Sequence, residues 1–447
     1  MIMRFMMIQP REIALQILYD IEKHQAYLNI SFQNHVEEAG LSARDAAFVK
    51  ELCYGVMQWK LRLDSSISRF SSVKLKKLSP YVLSLLRMGL YQLFFMDKIP
   101  ASAAVNESVA LAGRYAKQSR GFVNAILRRA VREGEQLPKG NSDEALSVRY
   151  SHPVELVRFM KGCFGEEQTL RLLQENNQTP PLFVRVNTLK TTRSDLMKGL
   201  SQENIETKEG MWSDSCLVWE GGGIQSLSAY KEGLFTVQDQ SAQLAALALA
   251  PQPGERVFDV CAAPGGKTTH LAELMENKGE ILALDIYEKR LHSVMETAKR
   301  LGITMIKTTV ADARQFEVTE PADKILIDAP CSGMGVIRRR PDLRYKEGLT
   351  DSKELTDTQL AILDHCAGLL KDGGEMVYST CTVNPAENEE LVMSFLKKHK
   401  EFSIVPVKSP HIVGLGAELL QTGMATFYPD MQGGDGFFIA KLKKESA

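Results

Sequence analysis

Beyond residue 250 the chain alternates between short apolar runs and longer amphipathic ones, and this restricts its fold more than any other feature. "ERVFDV" is followed by "KTTHLAELM", "GEILALD" by "EKRLHSVMETAKRLG", and "KILIDAP" by a helical run ending near Leu370, after which comes "GEMVYSTC". Strands alternating with helices imply an α/β domain whose parallel, Rossmann-like sheet is covered on both faces. Open sheets of this kind bind ligands beyond the carboxyl ends of their strands. Chemistry is therefore expected from the residues that directly follow each strand.

The earlier part of the chain reads differently. Residues 9–133 read as helix almost throughout. In "PREIALQILYDIEK", Ile13, Ile17 and Ile21 recur at a spacing of four beside Ala14 and Leu18, which makes one apolar helix face. "SPYVLSLLRMGLYQLFFM" offers Ser79 as N-cap and Pro80 at the first helical position. It is apolar on nearly every side, as the buried central helix of an all-α bundle would be. "SRGFVNAILRRAVRE" sets an apolar face against a basic one carrying Arg128, Arg129 and Arg132. The polar stretch 133–146, with its Gly and Pro, reads as a linker. "PLFVRVNTLK" then predicts a strand, followed by a helical run and further short strands. The expected division is an all-α domain over 1–140, a small α+β connecting subdomain over 141–232, and the α/β domain over 233–447.

Charge is nearly balanced overall, with 54 Lys+Arg against 55 Asp+Glu, but residues 1–150 hold 21 basic and 14 acidic residues. That asymmetry points toward a nucleic-acid partner, although solvated helix faces account for it as well. No stretch reaches the roughly 18 apolar residues of a membrane span. Met1–Ile8 is apolar but contains Arg4 and lacks the layout of a signal peptide, and several early methionines leave the start codon open. Seven cysteines without disulfide-like spacing suit a reducing cytoplasm. No C-x-x-C pair or His cluster suggests a metal.

After the first strand comes Asp259-Val260-Cys261-Ala262-Ala263-Pro264-Gly265-Gly266-Lys267. The glycines allow close approach to the backbone, and the following helix N-terminus suits a carboxylate. The next strand ends in Asp285, placed to accept the hydroxyls of a ribose. Together these describe a nucleoside cofactor that carries a carboxylate. A dinucleotide loop would need G-x-G-x-x-G, and a Walker loop would need glycine where Ala262 stands. Asp312 in "VADAR" and Asp328 in "ILIDAPCSG" end the third and fourth strands; helix capping alone would explain one such acid more easily than four in succession.

Two cysteines add a nucleophile. Cys331 follows the fourth strand and Cys381 the fifth. Either alone is more readily an inert buried thiol. Cytosine, however, is a poor nucleophile at C5 until a soft thiolate adds at C6 and makes the ring enamine-like. An acid near the thiol can serve N3 during attack, and a base must later remove the C5 proton.

"DVCAAPGGKT", "LALD", "VADAR", "LIDAPCSGMGVIRRRPDLRY" and "YSTCTVNPAENE" resemble, in order, the motifs of RNA cytosine-C5 methyltransferases. The paired Pro-Cys and Thr-Cys are specific to the RNA enzymes. The resemblance implies that Cys381 attacks the base and that Cys331 is needed for product release. It implies that Cys261, Ala262, Ala263, Pro264, Gly265, Gly266 and Lys267, with Asp285, Arg290, Asp312 and Asp328, contact S-adenosylmethionine, and that Asp328 also faces the base. "LLRMGLYQLFFMDKIPASAAVNESVALA" and "GFVNAILRR" resemble the NusB helical RNA-binding domain, and "YSHP" and "RVNTLK" resemble the connecting region of one subfamily. The combination resembles bacterial 16S ribosomal RNA cytosine-C5 methyltransferases of the RsmB (Sun/Fmu) type. This implies a cytoplasmic, monomeric enzyme acting on unassembled or early small-subunit 16S rRNA, with no DNA or membrane partner. Tyr345 stands where that pattern often has Trp. Two other readings of the residues stay open at this point: a nucleotide-dependent transferase or oxidoreductase on the same fold, and an RNA chaperone with a degenerate methyltransferase domain.

Overall fold

The computed structural model describes residues 9–446, so the apolar Met1–Ile8 stretch lies outside the described residues. The chain forms two compact units. One comprises the described residues up to Gln178 together with Ile337–Thr350; the other comprises Thr179–Val336 and the residues from Asp351 onward.

The first unit is helical. Ser79 caps the helix Pro80–Phe95 by accepting from Val82 N, and that helix is buried without a break from Val82 to Gln92. Its one buried charge, Arg87, is paired with Asp64 and Glu22, both at 2.7 Å. The helix Pro10–His24 buries Ile13, Ala14, Ile17 and Leu18 against it. In Arg120–Glu133, Val123, Ile126, Leu127 and Ala130 face inward, while Arg129 pairs with Glu133 at 2.8 Å. Segment 337–350 is fixed in this unit by Arg344, whose buried guanidinium donates to the carbonyls of Gln58 (3.2 Å), Ser151 (3.1 Å) and Asn176 (3.1 Å). All three lie at or just beyond helix C-termini, where carbonyls lack intrahelical partners. Among the described residues no helix is long and apolar enough to cross a membrane.

The second unit contains two sheets. The smaller is antiparallel: β1 (Leu182–Val186), β2 (Thr207–Glu209), β3 (Cys216–Trp219) and β4 (Phe235–Val237), in the order β2-β3-β1-β4. With the helix Arg193–Gln202 it encloses Val184, Val186, Leu196, Leu200, Leu217 and Phe235, an α+β core that draws β4 from beyond the expected limit at 232, while 141–178 belong to the helical unit. The larger sheet contains β5 (Arg256–Asp259), β6 (Glu280–Asp285), β7 (Ile306–Val310), β8 (Ala322–Asp328), β9 (Leu370–Thr380), β10 (Phe402–Ile404), β11 (Met424–Phe427) and β12 (Phe437–Lys444). Its order is β10-β12-β9-β8-β5-β6-β7, with β11 also on β12.

From β5 to β9 the strands are parallel, but β12 runs antiparallel to β9, β10 and β11, so the sheet is mixed rather than parallel throughout. The cause is the connection: β11 and β12 are joined by a loop with no crossover helix, and such a pair can only be antiparallel. Winding reverses between β5 and β8, which makes their carboxyl ends the switch point of the sheet.

Candidate active site at the carboxyl edge of the large sheet

Asp259 closes β5 and is buried. Thr268 Oγ1 donates to its Oδ2 at 2.7 Å, whereas Oδ1 has no hydrogen-bond partner among the described residues. Burial, reinforced by the charge of Asp328, pushes the Asp259 carboxyl up from 3.8 to about 7. Gly265 has φ +102°, and a Cβ there would lie 2.9 Å from Val294 Cα. This glycine is therefore demanded by the turn and by packing on the helix Glu288–Leu301, while Gly266 begins the helix Gly266–Leu274. A cavity of about 190 Å³ opens at that N-terminus. Its lining includes Asp259, Cys261, Ala262, Ala263, Pro264, Gly266, Lys267 and Asp328.

Val237 and Gln238 complete one wall of this cavity. Sequence reasoning passed over them, although "TVQDQ" places a polar run directly after a strand, the same signal that marked the other loops. Behind them lies Arg185 of β1, wholly buried. Its Nε and Nη2 grip Glu273 at 2.9 and 2.8 Å; Nη2 also reaches Thr269 Oγ1 at 3.1 Å, and Nη1 bonds to Gly266 O at 2.6 Å and to the Gln238 side chain. The small sheet thus braces the first turn of the loop helix.

The other predicted acids separate into two kinds. Asp285 ends β6 and accepts from Tyr287 N at 3.0 Å and from Arg290 at 3.0 Å; Arg290 also donates to Ala263 O at 3.0 Å, tying β6 to the loop. Neither Asp285 nor Asp312 is part of the cavity lining. Asp312 lies two residues past β7 and is occupied by Arg314, with contacts of 2.6–3.1 Å.

Asp328, by contrast, sits at the centre. Its Oδ2 meets Lys267 Nζ at 2.7 Å, and its Oδ1 accepts from Ser379 Oγ of β9 at 3.0 Å. Burial works against a charge on Lys267, but Asp328 more than reverses this by charge and hydrogen bond, so the lysine titrates above its ordinary range.

The two predicted cysteines meet. Cys331 follows β8 by three residues and Cys381 follows β9 directly; adjacent strands bring their Sγ atoms to 3.3 Å, both partly exposed. The hydrogen bond to Cys381 raises the Cys331 thiol well above its ordinary range, followed by burial and the charges of Cys381, Glu387 and Asp328. Either sulfur can be the donor in this contact. A thiolate at Cys381 and the ammonium of Lys267 favour one another. Gly335 N fixes the Cys381 carbonyl at 3.0 Å.

The chain matches three family descriptions: 16S rRNA methyltransferase RsmB/F over residues 246–443, the NusB family over 8–132, and the RsmF/B-like ferredoxin-like domain over 152–223. It is 37% identical to the probable ribosomal RNA small subunit methyltransferase B of Bacillus subtilis, over 97% of this chain and 98% of that one. It is 40% identical to the protein of the same name from Synechocystis, over 98% and 100%. The crystal structure of PH0851 superposes with a TM-score of 0.80 at 29% identity, covering 97% of this chain and 99% of that one. The crystal structure of NSun6 from Pyrococcus horikoshii with SFG gives 0.59 at 27% identity, covering 66% and 99%. Near-complete coverage at these identities, with all three domain types in order, means that the chain belongs to the 16S rRNA methyltransferase RsmB/F family.

Proposed function

We propose that the protein transfers a methyl group from S-adenosylmethionine to C5 of a cytosine in 16S ribosomal RNA, through a transient bond between Cys381 and C6 of the base. The products are 5-methylcytidine and S-adenosylhomocysteine. The observation that carries this reading is the 3.3 Å approach of the two thiols, together with the Lys267–Asp328 pair of the cavity lining, whose charges interact with them.

The cofactor's methyl, bonded to a sulfonium, is an electrophile that a cytosine attacks only after activation. The residues around the cavity fit such a molecule. The free oxygen of Asp259 can accept its amino group, the N-terminus of Gly266–Leu274 suits its carboxylate, and Asp285, held by Arg290, can accept ribose hydroxyls. The NSun6 relative with a bound S-adenosylmethionine analogue supports this choice.

Catalysis then runs through this chain's own groups. Cys381, as the thiolate, adds to C6. As negative charge develops at N3, Asp328 passes to it a proton drawn from the Lys267 ammonium to which it is bonded. C5 takes the methyl, the C5 proton passes to solvent water, the C6–S bond breaks with its electron pair returning to Cys381, and N3 gives its proton back to Asp328. With its thiol pushed up, Cys331 can remain protonated and donate across the 3.3 Å gap to the leaving Cys381 sulfur, which suits it to departure of the thiolate rather than to attack. The target must be unstacked for a thiol to reach C6 from above the ring. The basic helix face of the first unit suits the RNA backbone, and a ribosomal RNA substrate places the enzyme in the cytoplasm, where we assign it as a monomer.

Bisulfite sequencing of ribosomal RNA tests the reaction. One cytosine of 16S rRNA should lose its protection in cells lacking the protein and regain it with the wild-type chain but not with Cys381→Ala. Unchanged protection in the deleted strain would refute the proposal.

A further inference from the structure

We propose that Glu387 is a positioning residue that holds the Cys331 and Cys381 loops in register for methyl transfer, a role that rests on the two-cysteine reading above. Glu387 is fully buried in the turn Pro385–Glu387 that follows β9. Its carboxylate gathers donors from three places. From the Cys331 loop, Ser332 N reaches Oε2 at 2.8 Å and Ser332 Oγ reaches Oε1 at 2.5 Å. From the Cys381 loop, Asn384 Nδ2 reaches Oε1 at 3.1 Å and Thr382 Oγ1 at 3.5 Å. From the helix Lys353–Leu369, Gln359 Nε2 reaches Oε2 at 3.1 Å and also bonds Pro330 O at 2.8 Å.

Two of these donors, Ser332 and Thr382, immediately follow the two cysteines, and their hydroxyls lie 2.8 Å apart. One carboxylate thus fixes the residue next to each thiol, and the sulfur separation follows from that. Each donor is uncharged, so the carboxylate is buried against hydrogen bonds alone. Such a group is costly unless every bond is made. The turn does not need it for its own shape: Glu387 N bonds Asn384 O, and Tyr378 OH holds the Glu387 carbonyl at 2.8 Å.

An amide cannot take the place of this carboxylate. In Glu387→Gln an NH2 at the Oε2 position would face Ser332 N–H, a donor that cannot turn. At the Oε1 position it would face Asn384 NH2, which cannot flip without giving up the bond from Ala386 N to Asn384 Oδ1. Adding Asn384→Asp removes the conflict. Its Oδ1 can still accept from Ala386 N while its second oxygen accepts from the new amide, and the glutamine oxygen remains for Ser332 N and Gln359. The polarity of this part of the network reverses, and Ser332 N, Gln359 and the new amide all find partners, with Ser332 Oγ turned to donate to Thr382 Oγ1.

The test compares wild type, Glu387→Gln, Asn384→Asp, the double variant and Ser332→Ala in two assays. One is single-turnover methylation of a 16S rRNA transcript. The other is the rate at which diamide, taking up two electrons and two protons, joins Cys331 to Cys381, read as the mass of the linked peptide. Each of the two single variants in the pair should slow both rates about 10- to 100-fold, as one unsatisfied buried donor or one repulsive contact implies. The double variant should restore both, and cofactor affinity should not change. Ser332→Ala, which only trims the network, should show a smaller fall in both and keeps the test open if Glu387→Gln does not fold. Unchanged diamide coupling in Glu387→Gln or in Ser332→Ala would overturn the positioning role, as would a double variant that regains stability but neither rate. Coupling that falls and is rescued while methyl transfer stays at the wild-type rate would instead reject the two-cysteine reading on which the role rests.

Discussion

Replacing Arg185 by alanine should destabilise the second unit by about 3–5 kcal/mol, because it leaves a buried carboxylate without its partner. Arg185 has no exposed surface and holds Glu273 through both oxygens, at 2.9 and 2.8 Å. The remaining bonds to Thr269, Gly266 O and Gln238 would also be lost. Burial already raises the Glu273 carboxyl even with Arg185 present, so in the variant it should take up a proton near neutral pH. A carboxyl whose folded pKa is raised contributes stability that is fully present below its unfolded value and is lost as pH rises through the folded one. The deficit of Arg185→Ala should therefore shrink toward about pH 5 and grow toward about pH 8.

Urea unfolding followed by Trp212 and Trp219, both in this unit, measures the loss; a Trp59→Phe background removes the tryptophan of the helical unit. Arg185→Met with Glu273→Leu should recover most of the stability, since an apolar pair of similar volume replaces a buried ion pair with little penalty. Cofactor affinity should stay low in that double variant, because Gly266 and Gln238 line the cavity and have lost the guanidinium that aligns them. A single variant within about 1 kcal/mol of wild type, or a double variant as unstable as the single, would refute the reasoning.

Cys331→Ala should accumulate a protein–RNA adduct that survives denaturing electrophoresis, and Cys381→Ala should form none; adduct in Cys381→Ala and its absence in Cys331→Ala would reverse the assignment. Asp259 titrates at about 7 against an ordinary 3.8, so its stabilising protonation is complete below the lower value and lost as pH rises through the upper one. Asp259→Asn should therefore gain stability relative to wild type between about pH 4 and pH 8, and a flat difference in urea midpoints counts against the raised pKa. Arg344→Ala should free segment 337–350 from the helical unit by stranding the carbonyls of Gln58, Ser151 and Asn176, at a cost of about 3 kcal/mol or more. Faster tryptic cleavage at Lys346 reads this out, and wild-type cleavage would mean that the segment is held by other contacts.

The helical third was legible because its periodicity and caps are local: Ser79-Pro80 starts the central helix where the residues say it should. The strand ends were legible for a related reason. A parallel strand buried on both faces reads as a short apolar run, and the residue after it is conspicuous. Cys331 and Cys381 could be placed on one edge from that pattern, but their 3.3 Å approach depends on β8 and β9 being neighbours, which strand order alone decides. β12 gave no comparable signal, because "FFIAKLKK" follows a loop rather than a crossover helix. Arg185 and Glu387 were passed over because a charged residue in a short strand or turn reads as solvated. Each is buried only by partners far away in sequence, Glu273 for the first and Ser332 for the second.

The run of acids at the strand ends shows why capping and ligand binding are not rival explanations. Each acid already serves a neighbouring group. Asp259 receives Thr268, Asp285 receives Tyr287 N and Arg290, Asp312 receives Arg314, and Asp328 receives Lys267 and Ser379. A carboxylate has about four lone-pair sites, so one or two local donors leave capacity for a ligand. What separates the acids is their place in the sheet. Asp259 and Asp328 end the two strands that flank the winding reversal, and both line the cavity; Asp285 ends β6 and Asp312 lies just past β7, each with its own arginine. An arginine partner cannot give up its proton, so it keeps its carboxylate an acceptor. The partner of Asp328 is a lysine, whose proton can be exchanged. On the proposed reading, the side chain paired with each acid separates the groups that would hold a cofactor from the one that would meet a base.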